Sequence, residues 1–527
     1  MKYCIHNMGP VRYAEYSLET FNIICGMNNT GKTYVTYSLF GFLSGWEGIF
    51  DSFASRSGFK VKSINLKGLL KTRESRVDLG EYVNPSSGDV SLLQEFLDGL
   101  CNVYSRSLDA IFAAEGTKFT DSYLRIHLDE SDIQKIRESQ WVLDVNIPVP
   151  SEDGDDWENV AISAEKKEGE LCVYFRMEDM ASNGLLALST FSSKEIRRID
   201  DGISFALIRC ILKSVFPRPY ISSAERTGIV TFQESLMVAR QNFVSSIVSK
   251  MKNRGDSRNR AMRDSLFSEE ISVDPQYDFE YPSAIQSNID FMTRIKTVVK
   301  KDSYIYQNHE NILEYFLNIS EGEYRYSSSS IGYFFSKRET KPSKGETKTK
   351  RRNNRFSLDE VSSSVRALVD LWFYLRYYAR KGDLLIIDEP ELNLHPRNQR
   401  LMARLLAMIS RAGINILITT HSEYIIRELN YLIRMKSVWE EAITNNPDII
   451  SGYDESMLMR HDEMNVYVTG PASIFVPKEP APKRLRRQNV NTLSKVEVSE
   501  YGIKMDSFNS VIDEMNKLED YIYWGLE

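Results

Sequence analysis

The sequence predicts an α/β fold, a mixed sheet with flanking helices interrupted by a mostly helical insertion. Three short apolar runs predict it, each ending in residues suited to phosphate chemistry. FNIIC runs into GMNNTGKT, LLII ends in Asp388-Glu389-Pro390, and INILITT ends in His421-Ser422. Continuous aliphatic runs of this length read as strands buried on both faces, with their polar tips at one edge of a sheet.

The first run is the most informative. Gly26 to Thr33 fit the pattern G-x-x-x-x-G-K-[ST], the P-loop. Gly26 and Gly31 let the backbone wrap closely round phosphates, so that successive N–H groups point inward as an anion nest. Asn28 and Asn29 suit the same loop because Asn tolerates left-handed backbone. Lys32 is placed to reach the β- and γ-phosphates, and the Thr33 hydroxyl to hold Mg²⁺. The following segment, TYVTYSLFGFL, reads as a helix whose positive N-terminal end lies under the phosphates. Gly26, Asn28, Asn29, Thr30, Gly31, Lys32 and Thr33 are thus the candidate nucleotide-binding residues, with ATP and Mg²⁺ as the expected cofactors.

The second and third strand tips supply the chemistry. Asp388 is the candidate Mg²⁺ ligand, directly or through water, and Glu389 the candidate base that orients and deprotonates the attacking water. His421, one of only six histidines, sits at a strand tip, where a neutral imidazole can hydrogen-bond the γ-phosphate. Between these motifs lies VSSSVRALVDLWFYLRYYAR, read as one helix capped by Ser362, Ser363 and Ser364. Val365, Leu368, Trp372 and Leu375 recur at helical spacing and are expected to face a core. The serine end would present hydroxyls and N–H groups to a γ-phosphate bound by a second subunit.

These motifs resemble the ABC-type ATPases of the RecF, structural-maintenance and OLD group. DEPELNLHP (Asp388 to Pro396), TTHSEYIIRELN (Thr419 to Asn430) and YISSAERTGIVTF (Tyr220 to Phe232) look especially like OLD-like ATPases of bacterial anti-phage systems, of the Septu type, including its retron-associated form, or the PARIS type. The resemblance implies an ABC-type P-loop head, and a homodimer through the heads, with higher oligomers open. Two ATPs would then be sandwiched between residues 26–33 of one chain and 362–364 of the other, with residues 393–396 in the D-loop position. The group usually has a glycine after the serines, where this chain has Val365, which leaves open the serine that contacts phosphate and the hydrolysis rate.

The expected organisation is 1–225 as the first part of the head, 226–325 as a helical insertion, 326–470 as the second part, and 471–527 as a linker and terminal helix. The alternating stretches WVLDVNIPV, NVAISAE and LCVYFRM read as antiparallel strands flanking an acidic, solvated loop, SEDGDDWE. The insertion lacks sustained heptads and is broken at Asp-Pro and Tyr-Pro, so long coiled-coil arms are not expected. Lys337 to Arg355 holds nine Lys/Arg and two Glu; that is +7 within a chain of −7, leaving −14 elsewhere. It is either a solvated loop or a contact for a nucleic-acid backbone. A second basic cluster, KRLRR (Lys483 to Arg487), reads as a surface turn, and the tail from Ser507 reads as an amphipathic helix.

Composition narrows the remaining classes. With 527 residues, 42% hydrophobic and 26% charged, the chain is globular rather than fibrous or disordered. No apolar stretch approaches the roughly 18 residues of a membrane span. The N-terminus lacks a secretory apolar core, and five scattered cysteines suit a reduced, cytoplasmic protein. No DxD pair follows His421, so a nuclease built into the chain is not expected. The leading expectation is an ATP-binding, slowly hydrolysing sensor and scaffold that controls a separate effector, a nuclease being the expected kind. The alternative is a RecF-like repair or recombination ATPase that binds DNA directly.

Overall fold

The computed structural model describes the chain except for residues 57, 86–89, 115–116, 151–156, 178–190, 234, 236–280, 328–329, 336–354, 446, 449, 477–486 and 505–527. Most of the acidic loop, much of the insertion, the basic segment apart from Arg355, the second basic cluster apart from Arg487, and the terminal helix lie outside the described residues. The chain forms two compact units, one of Met1–Cys4, Gly45–Leu108 and Ser122–Pro217, the other of Ile5–Ser44, Asp109–Asp121 and Arg218–Glu527. The expected division at residue 225 does not separate them, because the P-loop belongs to the second unit and most of residues 45–217 to the first.

The first unit is built on a four-stranded antiparallel sheet of Glu74–Asp78, Cys172–Met177, Trp157–Lys166 and Trp141–Pro150, in that order across the sheet. Its interior is strongly aromatic. Phe96 meets Phe50 and Phe53 at 5.1 Å between ring centroids and Phe205 at 6.1 Å, while Trp46 packs edge-on against Phe216. Such pairs add about 0.5–1.5 kcal/mol each beyond the area they bury.

The second unit is organised by a six-stranded mixed sheet: β1 (Phe21–Gly26), β2 (Pro219–Ser222), β3 (Leu384–Asp388), β4 (Asn415–Thr420), β5 (Met464–Phe475) and β6 (Arg487–Val496). The order is β6-β5-β1-β4-β3-β2, with β1 to β5 parallel and β6 antiparallel to β5 at the edge. All five residues of β3 are buried, as expected for a strand covered on both faces. The expected boundary at 470 falls inside β5, and the described residues 487–496 form an edge strand rather than a linker. The polar content of β6 suits an edge, where one backbone side remains unpaired.

Register brings the motifs together. Asp388 is opposite Thr419, which is in turn opposite Ile24, and Thr420 is opposite Cys25. All parallel strands deliver their carboxyl ends to one edge, where ligands of open α/β sheets bind. The helix Pro396–Arg411 packs Leu405, Leu406 and Ile409 into the same core as Ile387, Ile416 and Ile418. It is tied to the helix Glu423–Asn445 by Glu428, fully buried, whose carboxylate accepts from Arg400 Nε and Arg404 Nε at 2.6 Å each.

The single helix expected after the serines is broken. It runs as Ser363–Arg366, then Val369–Phe373, then a π-helical turn Tyr374–Tyr378. The break has a visible cause. The Ala367 carbonyl accepts from Arg226 Nε at 3.1 Å, and the Leu371 N–H bonds to Asp370 Oδ1 at 2.8 Å. Leu368, Trp372 and Leu375 are buried, as their spacing predicts, while Val365 is half-buried. Ahead of the serines, Gly322–Ser327, Ser330–Phe335 and Arg355–Ser357 form a three-stranded antiparallel sheet. Among the described residues no helix is long and apolar enough to cross a membrane.

Candidate active site

The P-loop leaves β1 at Gly26 with φ 140°, where a Cβ would stand 2.4 Å from Thr469 Oγ1 and 2.5 Å from the Thr469 carbonyl. Gly31 has φ 104°, and a Cβ there would meet Val11 Cγ2 at 2.5 Å. Neither position admits a side chain. Of the two asparagines, Asn29 takes the left-handed conformation (φ 61°) and Asn28 does not. Thr30 Oγ1 donates to the Met27 carbonyl at 2.7 Å and bonds Thr469 Oγ1, pinning the loop to β5.

Lys32 is buried and folds back across its own loop, donating to the carbonyls of Gly26 (3.1 Å) and Met27 (2.9 Å). Burial lowers its pKa, while the nearby carboxylates of Glu389 and Asp388 oppose that shift. Thr33, the next residue, is exposed at the start of the helix Lys32–Arg56.

Asp388 closes β3, and one of its carboxylate oxygens, Oδ1, accepts from the Thr419 hydroxyl. Burial pushes its carboxyl up to about 6; the Thr419 hydrogen bond opposes this, and the charges of Glu389 and Glu225 add to it. Glu389 has left-handed backbone, φ 51°, uncommon for a residue of its size and a mark of local strain. Its N–H is held by the Thr419 carbonyl (3.1 Å) and hydroxyl (3.2 Å). His421 Nε2 lies 3.7 Å from Glu389 Oε1, beyond a direct hydrogen bond. Burial, then the Lys32 charge, lowers the His421 pKa, and the Glu389 charge opposes the shift.

The donor set fits the group the P-loop implies. Gly26 and Gly31 let the loop close tightly against Thr469 and Val11, and the Thr33 hydroxyl with the Asp388 carboxylate is an oxygen set of the kind Mg²⁺ takes. A buried carboxyl raised to about 6 is one that a cation at the same oxygen would hold ionised. If Mg²⁺ is held there, it would compete with the proton for Asp388. The Mg²⁺ concentration giving half-maximal hydrolysis is expected to rise about tenfold per unit as pH falls below 6, and to be flat above 7. A metal requirement unchanged from pH 7 to 5 contradicts the Asp388 assignment.

The structure does not bring every candidate together. Ser362 and Ser363 are exposed and Ser364 is half-buried. Ser362 Oγ accepts from the Val365 N–H at 3.4 Å and bonds Ser364 Oγ at 2.7 Å. Among the described residues, none of the three serines bonds to residues 26–33. Sequence reasoning also passed over Thr419, Thr469, Arg226 and Glu391. The buried Glu391 carboxylate accepts from Thr420 Oγ1 (2.9 Å) and the His421 N–H (2.7 Å), so it fixes the backbone that presents the histidine. Its signal was the second acid two residues after Glu389; Thr419 and Thr469 carry no comparable mark.

A glycine-bearing loop at the end of β1, an acidic pair at the end of β3 and a histidine beyond the strand between them are the arrangement of a P-loop ATPase. The chain belongs to the AAA ATPase domain family, whose sequence pattern matches residues 1–426, and is an ATP-hydrolysing enzyme. Among solved structures it is similar to an Smc head bound to the C-winged helix domain of ScpA, at 9% identity over 94% of this chain and 98% of that one, TM-score 0.30. It is also similar to the SMC head domain of Thermotoga maritima, at 10% identity, 94% and 98% coverage, TM-score 0.24. A third similar structure is the Smc head domain with an extended coiled coil bound to the C-terminal domain of ScpA, from Pyrococcus furiosus, at 9% identity, 98% and 98% coverage, TM-score 0.31. No curated protein matches the chain.

Proposed function

We propose that the chain is the ATP-binding, slowly hydrolysing sensor and scaffold of an anti-phage complex, acting as a head-to-head homodimer that controls a separate effector, a nuclease. Residues 26–33 hold the triphosphate, Lys32 neutralises its β- and γ-phosphates, and Thr33 with Asp388 holds Mg²⁺. Glu389 orients and deprotonates water, and neutral His421 bonds the γ-phosphate. The observation that carries the dimer is the exposure of Ser362 and Ser363 without a bond to the chain's own P-loop, which suits a site completed by a second copy. The OLD-like motifs DEPELNLHP and TTHSEYIIRELN support the defence role.

Co-expression with the product of the neighbouring open reading frame tests this reading. The expected result is a stable complex whose effector activity depends on the nucleotide bound. Absence of any complex, with no effector encoded nearby, contradicts it. The competing reading, direct DNA binding, draws on the +7 of Lys337 to Arg355, which ends five residues before the serines' flank at Glu360. It requires the purified chain alone to hydrolyse ATP faster with DNA, in a salt-sensitive way.

A further inference from the structure

Arg226 begins the short helix Arg226–Thr231 just after β2, and it is 3% exposed. Its guanidinium donates to four backbone carbonyls. Nη1 reaches Ser223 (2.9 Å) and Asp388 (2.7 Å), Nη2 reaches Glu389 (2.6 Å) and Nε reaches Ala367 (3.1 Å). Among the described residues no carboxylate forms an ion pair with it, although the charges of buried Asp370 and Asp388 act on it from further away; burying a cation this way is costly, and an apolar side chain would fill the space at less expense. The arrangement therefore calls for a reason beyond packing.

Two independent features supply one. The Glu389 backbone is left-handed, and its peptide is gripped from both sides, by Thr419 at the N–H and by Arg226 at the carbonyl. The segment carrying residues 362–364 is interrupted at the residue whose carbonyl Arg226 takes, Ala367. The chain thus gives up regular helix to join that segment to the acidic pair. The guanidinium fork is planar and rigid, so its carbonyl partners cannot shift independently.

We propose that Arg226 is a positioning residue for hydrolysis: it fixes the backbone that aims the Glu389 carboxylate and couples that aim to the position of residues 362–364 through Ala367. Arg226 touches no phosphate in this role and acts through Glu389. The inference rests on Glu389 being the base.

The test uses the full chain with Arg226→Lys, which keeps the charge but not the fork, alone and combined with Glu389→Gln. Turnover, KM, affinity for a fluorescent ATP analogue and the urea unfolding midpoint are measured. Arg226→Lys is expected to lower kcat about 10- to 100-fold, the scale of a misplaced catalytic group, with KM and analogue affinity within about twofold of wild type. Added to Glu389→Gln, it is expected to cost nothing further, because the group it positions is already gone. Wild-type kcat in Arg226→Lys, or an additive loss in the double variant, overturns the proposal. So does a fall in kcat accompanied by lost analogue affinity and a lower urea midpoint, which marks a purely structural role. Unchanged kcat in Glu389→Gln overturns both this proposal and the assignment of the base, whereas a slow Glu389→Gln beside a wild-type Arg226→Lys overturns this one alone.

Discussion

Lys32→Ala is expected to abolish ATP binding. The ammonium is the one buried cation of the P-loop, and it donates to the Gly26 and Met27 carbonyls. Its surroundings are acidic, since Asp388 and Glu389 both act on it electrostatically. Without Lys32, a triphosphate would meet those carboxylates with only backbone N–H groups and Mg²⁺ to offset them. The expected loss is at least about 100-fold in affinity, or about 2.7 kcal/mol, read by titration with a fluorescent ATP analogue. Affinity near wild type would contradict the P-loop assignment.

Glu389→Gln is expected to separate binding from chemistry. Glutamine is nearly isosteric and keeps the backbone contacts of residue 389 to Thr419 and Arg226. It cannot accept a proton from water. Turnover is expected to fall about 10²- to 10⁴-fold, the range for loss of a general base, while analogue affinity stays close to wild type. Equal losses in affinity and turnover would place Glu389 in binding rather than catalysis. His421 Nε2 lies 3.7 Å from the Glu389 carboxylate, and the Glu391 carboxylate holds the histidine's backbone N–H.

What the sequence made legible follows from the sheet. β1, β3 and β4 are parallel strands buried on both faces, so each is dominated by apolar residues, and each polar tip stands out against them. Glycine spacing added the loop, because Gly26 and Gly31 must adopt backbone that other residues reject. The partners of these motifs were not legible, because they are joined by distant contacts rather than local pattern. Thr469 meets Thr30 across 439 residues, and Arg226 meets Glu389 across 163. The helix break at Ala367 was hidden for the same reason: the periodicity of the segment is helical, and only the bond from Arg226 shows where the helix stops. The strand at 487–496 was missed because an edge strand carries polar residues on both sides and lacks the apolar run that marked the others.

The proposed dimer shares each ATP site between two copies of the chain, with the exposed Ser362 and Ser363 completing the partner's site. Light scattering on purified Glu389→Gln tests it most directly. With saturating ATP and Mg²⁺ the expected mass is about twice 60.8 kDa, returning to 60.8 kDa when the nucleotide is removed. A mass of 60.8 kDa with ATP demonstrably bound would contradict the account.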